Sequence, residues 1–475
     1  MSKRILICNR GEIAIRIAKA VRELGHTAVG FWTDNELEPP HLEYCDIWLH
    51  LKGNNNTETY LNMDQILKLV SEHKIEAVHP GYGFLSENTI FAKKLEEMAV
   101  IFIGPHSFAI EKMGDKAISK QMAKDSGVPV IPGSTGEIES AKEAAEISKE
   151  IGYPVLLKAV AGGGGKGMRV CLSEDELEKN FAAVRREAES SFGNPGVLVE
   201  KYILNPHHIE VQILADKKGN IFHCFERECS VQRRHQKIIE EAPSPFIGDD
   251  ESLRLKISET AVLLAKAVNY DSAGTVEFIM AEDKSFYFLE MNTRIQVEHP
   301  ITEEITGVDL VANMIKSALG EELDIKSQAE IKILGHAIEC RICAEDPVTM
   351  LPAPGKVVAF DYSFPQGVRF DHCIYKGFEV KPDFDPMIGK LIVRGLNRKV
   401  AIRKTKDALS RMHIDGVKTN LKLHEIIIDQ ENFVAGDYTT NYISEVKPQD
   451  QVEALVSDVA LFKKALAIEI ESMRQ

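Results

Sequence analysis

Residues 274–300 constrain this chain most. Two apolar runs, 275–280 and 286–291, flank the polar Glu282-Asp283-Lys284-Ser285, the pattern of a β-hairpin. A turn centred between Asp283 and Lys284 sets Glu277 directly opposite Glu290. Like charges facing each other across a strand pair are destabilising. Apolar neighbours (Val276 and Phe278; Leu289 and Met291) add a desolvation cost. A cation between the carboxylates relieves both penalties, and hard oxygen ligands beside Asn292 suit Mg2+. A one-residue slip would instead leave the acids offset and solvated. Beyond Asn292, Arg294, Gln296 and Glu298 alternate, and an extended segment places all three on one face. A guanidinium, an amide and a carboxylate beside a metal form an anion-binding and proton-handling cluster. A solvated loop face is the plainer alternative.

Around this hairpin the 475 residues require two to four domains, at roughly 100–200 residues each. Residues 1 to about 113 alternate short apolar strands with helical patterns. Ile13, Ile17, Val21 and Leu24 fall at helical spacing before Gly25, for example, which implies a parallel sheet flanked by helices. A smaller α/β unit follows from 135 to about 203, then a strand-rich region over 207–300. A polar stretch at 321–330 precedes the C-terminal part, and residues from 447 carry an amphipathic pattern (Val452, Leu455, Val459, Phe462, Leu466). The net charge of −15 disfavours a nucleic-acid or anionic-membrane partner, so any anion site must be a local cationic island. No signal peptide or 18-residue apolar run is apparent, and the eight scattered cysteines fit a reducing, cytoplasmic setting. Cys340 and Cys343 form a C-x-x-C, but the alternation around them predicts a strand, which turns the two sulfurs to opposite faces.

Two cationic segments stand out. Gly162, Gly164 and Gly167 formally satisfy G-x-G-x-x-G, yet residues 168–172 read as a strand rather than the helix a dinucleotide fold needs. Gly167 after Gly165-Lys166 also excludes a Walker A loop. What remains is a Gly-rich hairpin tip that can close over phosphates, with Lys158 on the strand before it. The second segment is Gln232-Arg233-Arg234-His235-Gln236-Lys237, which taken alone is more often a solvated face.

Together these segments resemble the biotin carboxylase family of the ATP-grasp superfamily. The matching pieces are Ile7-Cys-Asn-Arg-Gly-Glu-Ile-Ala, His79-Pro-Gly-Tyr-Gly-Phe-Leu-Ser-Glu-Asn, residues 162–167, residues 226–237, residues 290–300 and Phe384-Asp-Pro-Met-Ile-Gly-Lys. They run in order from residue 1 to about 446. Ala161 and Lys166 depart conservatively from the usual Gly and Arg.

The resemblance implies an α/β multi-domain chain. Its parts would be a Rossmann-like N-terminal domain (1–113), an ATP-grasp domain (114–325, with a mobile lid at about 131–203), a mixed α+β C-terminal domain (330–446) and a helical tail (447–475). It implies ATP binding by Lys116, Lys158, Gly164, Gly165, Glu200, Lys201, Ile203, His208 and His235. Mg2+ or Mn2+ would sit on Glu277, Glu290 and Asn292. Glu298 would deprotonate bicarbonate, Lys237 would neutralise charge at the transferring phosphoryl group, and Arg294 would stabilise the biotin enolate. Gln296, Val297 and Arg341 would complete the bicarbonate and biotin site. Met-Lys-Met, the usual biotinylation context, does not occur. A separate biotin carboxyl carrier protein and a carboxyltransferase on another chain are therefore expected, and the resemblance implies a homodimer. Two rival readings are another ATP-grasp ligase joining a carboxylate to an amine, and a non-catalytic nucleotide-binding protein that regulates a larger assembly. The string from Arg294 to Glu298 argues against the first, and the presence of Lys237, Arg294 and Glu298 argues against the second.

Overall fold

The computed structural model describes residues 2–36, 38–160, 167–192 and 195–455. Gly164, Gly165 and Lys166 of the glycine loop lie outside the described residues, as do Val459, Phe462 and Leu466 of the tail.

The N-terminal part is a five-stranded parallel sheet of β1 (Arg4–Ile7), β2 (Thr27–Thr33), β3 (Ile47–Leu51), β4 (Ala77–His79) and β5 (Ile101–Phe102), in the order β3-β2-β1-β4-β5. Such parallel pairing needs covered faces. The helix Gly11–Glu23 covers one side by burying Ile13, Ile17 and Val21 with Ile5 and Ile7 in one core. Gly25, at φ +77°, lies just beyond that helix, as the stop signal predicts. Asn9, just after β1, donates to the carbonyls of Pro80 (2.8 Å) and Tyr82 (2.7 Å), tying the loops at the carboxyl ends of β1 and β4.

A small antiparallel sheet, β7-β6-β8, combines β6 (Val155–Ala159), β7 (Met168–Cys171) and β8 (Val197–Lys201). Its own core of Val155, Leu157, Val197, Val199 and Phe181 holds it together. The glycine loop connects β6 to β7, which are antiparallel neighbours, so a strand does follow the loop where a dinucleotide fold would need a helix.

The largest layer is an eight-stranded antiparallel sheet ordered β13-β12-β9-β10-β11-β14-β19-β17. Its strands are β9 (His207–Ala215), β10 (Ile221–Arg233), β11 (Gln236–Ala242), β12 (Ala273–Met280), β13 (Phe286–Asn292), β14 (His336–Cys343), β17 (Val368–His372) and β19 (Met387–Gly395). Two short ribbons accompany it, β15 (Gly355–Lys356) with β18 (Glu379–Val380) and β16 (Ala359–Tyr362) with β20 (Met412–Asp415). Cys340 and Cys343 lie on β14, and all eight cysteines are free and buried. Among the described residues no helix is long and apolar enough to cross a membrane.

Candidate active site

The hairpin β12–β13 pairs Glu277 with Glu290, as the sequence predicts, but by a different route. Near its turn the register is Phe278 with Phe288 and Met280 with Phe286, which centres the turn on Asp283; Lys284 there takes φ +65°. Continued unbroken, that register would oppose Glu277 to Leu289. A bulge inserts one extra residue at Leu289, whose side chain is exposed, and so returns Glu290 to face Glu277.

The neighbouring strands extend this rung. Glu277 faces Glu210 of β9, and Glu210 faces Arg227 of β10, so three carboxylates and a guanidinium share one line across four strands. Arg227 is fully buried, and all five of its N–H donors find acceptors. Nε donates to Glu210 Oε1 (2.5 Å), Nη1 to Gln212 Oε1 (2.7 Å) and Thr302 Oγ1 (3.0 Å), and Nη2 to Thr275 Oγ1 (3.1 Å) and Gln296 Oε1 (2.7 Å). Such complete satisfaction is what makes a buried guanidinium tolerable.

Lys237 enters the same space from β11. Its Nζ donates to Glu210 Oε2 (2.5 Å), Glu298 Oε1 (2.6 Å) and Glu277 Oε1 (3.1 Å). Burial opposes its charge, yet these three carboxylates outweigh burial and hold the ammonium pKa well above its usual value. Glu298 is buried more deeply still. Lys237 and Arg341 (Nη2 to Glu298 Oε2, 2.9 Å), with Arg227 nearby, overcome its desolvation and keep it well below the carboxylate range. Glu277 is likewise held down against burial by Lys237 and by His208, whose Nε2 lies 2.9 Å from Glu277 Oε2. Asn292 Nδ2 (2.9 Å) and Gln296 Nε2 (2.7 Å) also donate to Glu277 Oε1.

Glu290 is the exception. Among the described residues no hydrogen bond reaches its carboxylate, and burial together with the facing Glu277 raises its pKa. A carboxylate destabilised by its twin, with the Asn292 amide alongside, is a donor set that fits a hard divalent cation.

The segment after Asn292 is not the extended one that would set Arg294, Gln296 and Glu298 on one face. Residues 293–298 form an irregular turn, and Glu298 occupies the N-cap position of the helix His299–Thr306. Chain reversal here, rather than strand alternation, brings Gln296 and Glu298 to the cluster. Arg294 is held by Glu87 Oε2 (Nε, 2.8 Å) and Asn292 Oδ1 (Nη2, 2.9 Å), and the Val297 carbonyl accepts from Lys390 Nζ (2.8 Å).

The remaining predicted residues lie apart from this cluster. On the small sheet, Lys158 donates to Glu200 Oε2 (2.6 Å), and Glu200 Oε1 accepts from Lys120 (2.7 Å) of the helix Lys116–Asp125. Both lysines hold Glu200 below its usual range despite burial. Lys116 is exposed at the start of that helix, where its charge acts on Glu290. Lys201 turns its Nζ to the carbonyls of Gly152 and Tyr153 (both 3.0 Å), and with Ile203 it lines a cavity of about 410 Å³ facing Ala281, Glu282 and Asp283. His235 is exposed in the two-residue turn Arg234-His235, both residues at positive φ, between β10 and β11.

Several residues escaped the sequence reading. Glu210 had a local signal, since His208, Glu210 and Gln212 put polar groups on one face of an otherwise apolar strand. Arg227, Glu240 and Glu87 stood inside or beside noted segments without a partner to give them meaning. Lys390 closed the noted segment from Phe384 without a partner to give it meaning, and Lys120 carried no signal, because its partner Glu200 lies far along the chain.

Known proteins resemble this chain along nearly its whole length. The family "Biotin carboxylase, N-terminal domain" matches residues 1–110, "Carbamoyl-phosphate synthase L chain, ATP binding domain" residues 115–326, and "Biotin carboxylase C-terminal domain" residues 339–445. Biotin carboxylase 1 of Bacillus subtilis is 45% identical over 445 residues, covering 93% of this chain and 98% of its own. The propionyl-CoA carboxylase alpha chain of Ruegeria pomeroyi is 45% identical over 470 residues, covering 94% of this chain and 69% of its own. The crystal structure of the biotin carboxylase domain dimer of Hydrogenobacter thermophilus 2-oxoglutarate carboxylase, in complex with MgADP, ADP and bicarbonate, superposes with a TM-score of 0.85. It is 46% identical and covers 94% of this chain and 98% of that one. With the three family matches in chain order and relatives at this identity over almost the full length, this chain belongs to the biotin carboxylase family.

Proposed function

We propose that the buried Lys237–Glu298–Arg341 constellation is the bicarbonate-activating centre of this enzyme. The activity is that of a biotin carboxylase, the ATP- and bicarbonate-dependent carboxylation of biotin that forms the first half-reaction of biotin-dependent carboxylases. The observation that carries the site assignment is the double clamp on Glu298, which keeps a carboxylate ionised, dry and aimed by two cations. An entering bicarbonate competes with Glu298 for Lys237 and Arg341, and that exchange frees a Glu298 oxygen to take the bicarbonate proton.

The resulting carbonate oxygen attacks the γ-phosphorus of ATP to give carboxyphosphate and ADP. Carboxyphosphate then releases CO2 and phosphate, the phosphate removes the N1 proton of biotin, and N1 attacks CO2. Arg294 faces the enolate oxygen as a cationic partner, with Gln296, Val297 and Arg341 shaping that side. Lys158, Lys116 and His208 bind the nucleotide phosphates with the glycine loop (Gly164, Gly165). Glu200, Lys201, Ile203 and His235 complete the ATP site. Glu277, Glu290 and Asn292 hold Mg2+ or Mn2+, which neutralises charge on the transferring phosphoryl group when bound.

The segmentation follows the same reading: a Rossmann-like part (1–113), an ATP-grasp part (114–325) whose lid at about 131–203 moves over the nucleotide, a C-terminal part (330–446) and a tail (447–475), of which residues up to 455 are described and 448–455 are helical. We place the biotin on a separate carrier protein, a reading supported by the biotin carboxylase of Bacillus subtilis, which this chain matches over 98% of its length. A carboxyltransferase on another chain follows from that placement. A homodimer is supported by the dimeric relative, and a cytoplasmic location by eight buried free thiols. Similar proteins belong to both propionyl-CoA and 2-oxoglutarate carboxylases. Phosphate release from ATP, measured with and without bicarbonate and free biotin, tests the reading. Hydrolysis indifferent to bicarbonate would sink it.

A further inference from the structure

Behind the Glu298–Arg341 pair lies a second pair of acids. Glu240 of β11 and Glu339 of β14 stand directly opposite each other, and both are fully buried. Arg341, two residues along β14, shares their face, and Lys390 of β19 faces Arg341. Arg341 is therefore divided between two carboxylates, with Nε on Glu240 Oε1 (2.5 Å) and Nη2 on Glu298 Oε2 (2.9 Å). The other three oxygens of the acid pair, Glu240 Oε2 and both of Glu339, find no hydrogen-bond partner among the described residues.

The charged and titratable groups facing the pair are Arg341 on β14, Lys390 on β19, Lys237 on β11, Glu298 at the helix start, and the thiols Cys229 on β10 and Cys340 on β14. Lys237 is already engaged by Glu210, Glu277 and Glu298, and Lys390 by Glu12 (3.2 Å) and the Val297 carbonyl. That leaves one shared guanidinium, with the Lys390 charge acting on Glu339 without a hydrogen bond, to answer two adjacent buried carboxylates. Like charges this close in a dry site do not both ionise; one keeps its proton.

We propose that Glu240 and Glu339 hold one proton between them and, as a singly charged pair, position Arg341 on Glu298. Glu339, with neither oxygen bonded, carries the proton, and Glu240 remains the anion that anchors Arg341. Burial points the same way, pushing Glu240 up to about 7 with Glu298 adding to it, and Glu339 well above the carboxylate range with Glu240 adding to it. Acidification adds a second proton and releases Arg341 from β11. Alkali removes the shared proton, and the added negative charge draws Arg341 away from Glu298. Both limbs lower the efficiency toward bicarbonate. Glu240 and Glu339 are positioning residues, acting through Arg341, and the inference rests on Glu298 being the base proposed above.

The test uses the full chain. Difference infrared spectroscopy at neutral pH should show the carbonyl stretch of a buried carboxylic acid in the wild type, lost in Glu339→Gln. The pH profile of kcat/KM for bicarbonate should lose its alkaline limb in Glu339→Gln, whose amide cannot ionise. Glu240→Gln should raise KM for bicarbonate by about tenfold, the loss of one charge-assisted hydrogen bond, with KM for ATP unchanged. A wild-type spectrum without a buried acid would overturn the proposal, as would variant pH profiles parallel to wild type. The infrared reading needs no turnover, so it stands even if Glu240→Gln fails to fold. A protonated pair beside a fully active Glu298→Gln variant would refute the base assignment and the positioning role with it, while leaving the shared proton in place.

Discussion

The large sheet and the small three-stranded sheet each hold a carboxylate between two cationic groups, in opposite settings. Glu298, with 2% of its side chain exposed, lies between Lys237 and Arg341 at 11% and 14%, whereas Glu200, at 14%, lies between Lys158 and Lys120 at 31% and 36%. The chemistry of the contacts is alike, but the dielectric is not. In the dry site the ions cannot be parted without leaving an unpaired charge. In the wet one, water and salt replace either partner cheaply. The difference suits the two tasks proposed for these residues: a fixed proton acceptor on one side, and on the other a lysine that can exchange a carboxylate for a phosphate.

Breaking the dry clamp should produce the largest effects. Glu298→Gln is expected to lower bicarbonate-dependent ATP hydrolysis by about 10²–10⁴-fold, the range for removing a general base; a variant within a few-fold of wild type in a steady-state phosphate assay would remove Glu298 from the role. Lys237→Met takes the shared cation from Glu210, Glu277 and Glu298, leaving a buried excess of negative charge on Arg227, His208 and Arg341 alone, so chemical denaturation should show a loss of about 3–5 kcal/mol besides lost activity. On the wet side, Lys158→Met should cost under about 1 kcal/mol, and high salt should erase even that, while KM for ATP rises. Equal destabilisation by the two lysine variants would collapse the comparison.

Between these extremes sits Glu290, the carboxylate facing a twin. Glu290→Gln relieves the like-charge contact, so the metal-free protein should gain about 0.2–1 kcal/mol in thermal melts while needing more Mg2+ for half-maximal turnover. The smallest effects come from titration. Glu277 and Glu298 are held below their ordinary value of 4.5, so their stabilisation is present above that pH and is lost as the pH falls toward their folded values. Glu240 runs the other way. Its folded value of about 7 means that stability declines as the pH climbs from about 4.5 to about 7, a decline that Glu240→Gln should flatten in pH-dependent melts.

Much of the site was legible because the informative contacts are local. The facing acids Glu277 and Glu290 follow from two apolar runs and the polar turn between them, although the bulge at Leu289 that restores the pairing has no clear signature in the residues themselves. The strand after the glycine loop was legible for the same reason, since alternation shows over four or five residues. The conformation of 293–298 was not legible, because alternating polar residues suit an extended segment and a turn alike; burial of Gln296 against β10 and of Glu298 against β14 decides for the turn.

The sequence by itself determined the parallel N-terminal sheet, the metal-type hairpin, the family resemblance and the residue types of the site. These rest on periodicity and short spacing, which a chain carries at every position. Only the tertiary structure decided which cation serves which acid. Glu210, Lys237, Glu277, Glu298 and Arg341 come from β9, β11, β12, a helix start and β14, and their pairing depends on strand order and register across the sheet. That order also placed Glu240 against Glu339, ninety-nine residues apart and without a hint in either segment. Charges so distant in sequence acquire their strength from shared burial, and burial is a property of the folded sheet rather than of any stretch of chain.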